Sequence, residues 1–170
     1  MQTVYVTWSV PSAAVLEWVA DEIGAPAVRW SRRLLGGTHA LTDVVQVARG
    51  QELVLRRFPA GDDAVQRESR VLPVLDGLGG LAPRVLAADP DGSLTGQPVI
   101  VTTMLRGGAC ITPEDPTDFA TQLGRALARV HAHDASPWLS EVVAATFPVD
   151  GATTASQWDA WDGLSSLRAC

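Results

Sequence analysis

Arg33-Leu34-Leu35-Gly36-Gly37-Thr38-His39-Ala40-Leu41-Thr42-Asp43-Val44-Val45-Gln46-Val47 is the stretch on which the reading of this chain turns. An apolar run enters a glycine pair and a second run, rich in β-branched residues, leaves it, which is the pattern of two antiparallel strands joined by a tight turn. The strand-like runs span 28–35, 43–48 and 53–58, separated by Gly36-Gly37 and by Arg49-Gly50-Gln51-Glu52, so the spacing predicts a three-stranded meander. Upstream, Ser12 can cap a helix that lines Val15, Leu16, Val19 and Ile23 along one face and ends at Gly24 and Pro26.

Downstream, Asp62 and Asp63 suit a helix N-terminus, and Val71, Leu72, Leu75 and Leu78 recur at helical spacing, with a kink expected at Pro73. Strands follow over 84–87 and 98–104, joined through Asp89-Pro90-Asp91-Gly92-Ser93, giving five strands with one helix inserted after the third. Residues 105–113 read as a connector. Asp115 or Thr117 then caps a helix running to His133, with Phe119, Leu123, Ala126, Leu127 and Val130 as its buried stripe. Beyond Asp134 the pattern weakens, with a short helix at most over 155–168.

Composition narrows the function classes. The chain has 170 residues, 46% of them apolar, enough for a sizeable core. Its formal charge of −6 repels phosphate backbones, so nucleic acid is not expected as a partner. No apolar run approaches the roughly 20 residues of a membrane span and no signal peptide opens the chain, so a cytoplasmic protein without membrane contact is expected. Cys110 and Cys170 are too few and too far apart for a disulfide framework or a zinc site. Lys and Asn are absent altogether, as coding DNA of high G+C content would produce, and without Lys a Walker-type phosphate loop is excluded. The His131-Ala132-His133-Asp134 segment reads as a helix end rather than a metal site, because residues two apart do not share a helix face.

The order of elements is that of a protein-kinase-type N-lobe followed by the first helix of its C-lobe. Over about residues 29–133 the sequence resembles the aminoglycoside phosphotransferase, or phosphotransferase-enzyme, family. The resemblance is carried by the opening stretch, by Leu53-Val54-Leu55-Arg56-Arg57-Phe58-Pro59, by Arg67-Glu68-Ser69-Arg70-Val71-Leu72 and by Ala82-Pro83-Arg84-Val85-Leu86. It implies an α+β fold with a five-stranded antiparallel N-lobe sheet and one inserted helix, followed by helices of a truncated C-lobe. The domains expected are a helical extension over 1–26, the N-lobe over 27–105, and a connector with the start of the C-lobe over 106–170.

The resemblance also implies a nucleotide site. Gly36, Gly37 and Thr38 would bring backbone N–H groups to the phosphates of ATP, and Thr42 matches the family's loop threonine, while His39 and Ala40 stand where the family usually has Ser-Asn. Arg56 matches the strand cation that grips the phosphates and Glu68 the helix acid that holds it, with Arg in place of the commoner Lys. Met104, Leu105 and Arg106 would present backbone groups to adenine. The family's His-Gly-Asp loop ending in Asn and its later metal-binding Asp are not found, so no catalytic or metal residue is assigned.

The expected function is therefore the ATP-binding portion of a small-molecule kinase that phosphorylates a substrate hydroxyl, inactive as a truncated chain. Mg²⁺ is expected only with the missing C-lobe, and self-association through exposed apolar surface is expected of the chain alone. The alternative is a non-catalytic, pseudokinase-like binding or interaction module.

Overall fold

Ser12 begins the first element: its hydroxyl accepts a hydrogen bond from the Val15 backbone N–H at 3.3 Å, an N-cap worth about 1 kcal/mol, and α1 runs Ala13–Glu22 behind it. A computed structural model describes residues 9–35, 39–108, 110 and 112–132. The chain divides into two units, Met1–Asp134 and Ala135–Cys170, and every described residue belongs to the first.

Five strands follow α1: β1 (Val28–Leu34), β2 (Leu41–Val47), β3 (Glu52–Arg57), β4 (Val85–Asp89) and β5 (Val99–Thr103). They form one antiparallel sheet in the order β1-β2-β3-β5-β4, as the strand patterns predicted for a five-stranded α+β fold. β2 starts at Leu41, earlier than the apolar run alone suggested, because Leu41 and Thr42 pair with Arg57 and Arg56 of β3. Cross-strand hydrogen bonding extends the strand into residues whose own alternation is ambiguous.

The sheet is covered on both faces. Val45, Leu53, Leu55, Val99 and Val101 are buried with Val15 and Val19 of α1 in one core. Burial of each contributes roughly 1.5–3 kcal/mol. The other face buries Ile100 with Phe58, Ala64 and Val65, which brings in the second helix, α2 (Ala64–Val71). Strand periodicity puts Arg56 on this second face, since it lies opposite Ile100 in the β3–β5 register while its neighbours Leu55 and Arg57 turn to the first.

Two expectations need correction. The apolar pattern through Leu78 is not one kinked helix: α2 ends at Val71 and a 3-10 segment covers Leu72–Leu78, closed by Gly79 in the left-handed region at φ 57°. Pro73 lacks the N–H that α-helical bonding requires, and the tighter winding takes over there. The third helix, α3 (Pro116–His131), is capped by Asp115, whose carboxylate accepts from the N–H groups of Thr117 at 2.9 Å and Asp118 at 3.0 Å. Its apolar stripe is present but exposed rather than buried, with Phe119, Leu123, Leu127 and Val130 each 38–49% accessible. The helix is held instead through Arg129, which donates to the carbonyls of Leu78 and Gly79 at 3.2 and 3.3 Å. His131 ends the helix on the surface, and His133 lies outside the described residues.

Candidate functional site

Across the second face of the sheet, Thr42 of β2, Arg56 of β3 and Ile100 of β5 stand in one cross-strand row. Above that row α2 carries Glu68, whose Oε2 forms an ion pair with Nη1 of Arg56. α2 can face the row because Ala64 and Val65 bury against Phe58 and Ile100, which sets the rotation of the helix. The two side chains are 32% and 29% exposed, and an ion pair that wet adds little to stability, about 0–1 kcal/mol. Its effect is to orient a guanidinium whose remaining N–H groups have no partner among the described residues. The Arg56 Cζ also lies 4.9 Å from the centroid of the Phe58 ring, a cation–π contact that fixes the arginine from below.

At the turn end of the sheet, Gly36, Gly37 and Thr38 lie outside the described residues. His39, which follows them, is described. Its Nε2 lies 2.5 Å from Oδ2 of Asp62, and its ring meets the Phe58 ring edge-on, with centroids 6.1 Å apart at an interplanar angle of 70°. Asp62 is fixed in turn, because its Oδ1 accepts the Ala64 N–H at 2.8 Å at the start of α2. The buried Phe58 ring therefore supports two basic side chains, Arg56 and His39, each paired with a carboxylate of the α2 region.

At the opposite end of the strands, a cavity of about 450 Å³ is lined by Gly50, Gln51, Glu52, Leu53, Thr103, Met104 and Arg106. Met104 and Arg106 thus border it, while Leu105 points its side chain to solvent at 41% exposure. The hydrogen bonds that Arg32 donates hold the pKa of the Glu52 carboxyl below its ordinary value, so the rim carries an ionised, Arg32-paired carboxylate. From Leu53 to Arg56 the strand advances about 10 Å at the usual rise. Among the described residues no three His, Cys, Asp or Glu side chains converge as a metal site, and Cys110 is a free, exposed thiol.

One constellation escaped the reading of the sequence. Asp43 is fully buried on the α1 face of the sheet and accepts hydrogen bonds from Trp30 Nε1 at 3.0 Å, Arg33 Nε at 3.1 Å and Arg57 Nη2 at 3.0 Å. Arg33 also donates to the Ser9 carbonyl at 2.8 Å, and Arg57 donates at 2.5 Å to the same oxygen, which ties the segment before α1 to β1 and β3. The available signal was an aspartate at an inward position of a valine-rich strand, where a lone carboxylate is not tolerated without cationic partners.

Comparison with known proteins gives the chain's family and fold. The Phosphotransferase enzyme family profile matches residues 30–164. A crystal structure described as a "putative aminoglycoside phosphotransferase" from Ralstonia eutropha JMP134 superposes with a TM-score of 0.63 at 20% sequence identity. The match covers 91% of this chain and 46% of that one, so the chain spans about half the length of its structural neighbour. At that identity the likeness establishes a shared fold. No curated protein matches the chain.

Proposed function

This chain belongs to the phosphotransferase enzyme family, and on that premise we propose that its five-stranded sheet and α2 bind ATP for phosphoryl transfer to the hydroxyl of a small molecule, an aminoglycoside or another metabolite. The observation that carries the reading is the Arg56–Glu68 pair, held over the sheet in one row with Thr42. Arg56 would grip the α- and β-phosphates and Glu68 would keep its guanidinium aimed at them. Gly36, Gly37, Thr38 and Thr42 would close over the phosphates, with backbone N–H groups as donors. Backbone groups of Met104, Leu105 and Arg106 would bind the adenine edge, and the 10 Å strand advance between these ends suits an adenosine spanning from base to phosphates.

The 170 residues contain no His-Gly-Asp segment and no Asn, so we assign no base and no metal ligand within them. Nucleotide binding without phosphoryl transfer is the activity proposed for the chain by itself, with Mg²⁺ supplied to the reaction only where those groups are present. No helix among the described residues is long and apolar enough to cross a membrane, and we propose a cytoplasmic location, where ATP is available. The exposed stripe of α3 is proposed as a self-association surface.

A non-catalytic binding module is the competing reading, favoured by the replacement of the loop Ser-Asn with His39-Ala40. A thermal-shift titration separates the two. ATP should raise the unfolding temperature of the chain, by the equivalent of about 2.7 kcal/mol at a hundredfold excess over Kd, and Arg56→Ala should remove about half of that shift at the same ATP concentration. Absence of a response to every nucleotide tried would favour the binding module and remove the nucleotide assignment.

A further inference from the structure

We propose that Arg129 of α3 is a positioning residue for the phosphate grip: by clamping the far end of the helical rod that carries Glu68, it keeps the Glu68 carboxylate at the Arg56 guanidinium. This deepens the nucleotide reading above and rests on it.

The rod is α2 together with the 3-10 segment that continues it, unbroken from Ala64 to Leu78. Its near end is fixed twice: Ala64 and Val65 bury against Phe58 and Ile100, and the Ala64 N–H donates to Asp62. From Gln66 to Leu75 no residue is fully buried, so burial holds the stretch around Glu68 only in part. The far end is held again. There Leu78 is buried, and the carbonyls of Leu78 and Gly79 both accept from Arg129 Nη2, at 3.2 and 3.3 Å. The last carbonyls of a helical segment lack partners within it, and a guanidinium both satisfies them and meets the negative end of the dipole. The fit is close. A Cβ on Gly79 would lie 2.7 Å from Arg129 Nη2, so the glycine that ends the segment at φ 57° is also what lets the guanidinium in.

The link runs from α3 to the rod. Thr121 and Gln122 spend their side-chain hydrogen bonds inside α3, on Thr117 and Asp118, whereas those of Arg129 cross to another element. With the apolar stripe of α3 exposed, the guanidinium is the contact through which the helix bears on the rod. Leu78 lies ten residues beyond Glu68, about three turns along. A rod released at that end can swing about its buried start at Ala64, and Glu68 swings with it. The ion pair with Arg56 is a directed hydrogen bond, whose strength falls steeply as its geometry is lost.

The test is calorimetric titration with ATP of the full chain, of Arg129→Met, Arg129→Lys and Glu68→Ala, and of Glu68→Ala combined with Arg129→Met. Methionine keeps an apolar stem and removes the donors, while lysine keeps a charge that reaches one carbonyl. Arg129→Met should weaken ATP binding about threefold and Arg129→Lys by less. Once Glu68 is alanine, Arg129→Met should cost nothing further, because the clamp acts through that carboxylate. A role confined to stability would lower the unfolding temperature and leave the affinity of the folded chain unchanged, which overturns the proposal. An equal loss in both Glu68 backgrounds overturns it as well. If Arg56→Ala weakens binding and Arg129→Met does not, the nucleotide reading stands and this inference falls; a wild-type chain that binds no ATP removes both. Arg129 is exposed on its helix and methionine is a good helix former, so the variant should fold, and its unfolding temperature checks that it does.

Discussion

Asp43 has no contact with solvent, and its charge is held by Arg33, Arg57 and the Trp30 indole instead of by water. Deleting one partner of such a group is far costlier than the net worth of the interaction, because the others keep a buried charge without compensation. Asp43→Ala should therefore destabilise the chain by about 3–5 kcal/mol, read as a lowered urea midpoint at constant slope. A loss under about 1 kcal/mol would mean that Arg57, only 3% exposed, finds compensation elsewhere. Legibility in the sequence differed sharply between residues here. Arg56 and Glu68 stood out because they match the strand cation and the helix acid of the family that the sequence resembles. His39–Asp62 and Asp43–Arg57 did not, since a pair joined only by a fold-dependent approach leaves no periodic trace in the chain.

At the scale of elements, periodicity located the helices and strands but said less about what each apolar face meets. α1 and α3 carry comparable stripes; α1 is pressed onto the sheet, and α3 leaves Phe119, Leu123, Leu127 and Val130 open. A 3.6-residue repeat reports that a face is apolar and leaves its neighbour unspecified. The same holds for the segment after Val71, where helical spacing persists through a 3-10 segment because its apolar positions recur at nearly the same interval. If the α3 stripe drives self-association, Leu123→Glu with Leu127→Glu should shift the chain towards monomer in sedimentation velocity, each substitution removing roughly 1.5–3 kcal/mol of apolar burial. A wild-type chain that stays monomeric at concentrations of tens of micromolar would contradict that use of the helix.

Taken as a whole, the described part of the molecule is a sheet whose two faces are built differently. On the first, α1 and the buried Asp43 network fasten the strands together. On the second, Arg56 and His39 both meet Phe58 and pair with Glu68 and Asp62, while Thr42 lies across the strands from Arg56. The element order needed for this division was readable from the chain. The insertion of β5 between β3 and β4 was not, because that pairing joins segments distant in sequence and depends on register rather than on local pattern. The central claim is that Arg56 grips a triphosphate and that Glu68 acts through it. It is tested most directly by a double-mutant cycle on ATP affinity with Arg56→Ala, Glu68→Ala and the double substitution. Arg56→Ala should weaken binding about tenfold, Glu68→Ala somewhat less, and the double variant should bind no more weakly than Arg56→Ala alone. Independent, additive losses, or an affinity indifferent to Arg56, would contradict the account.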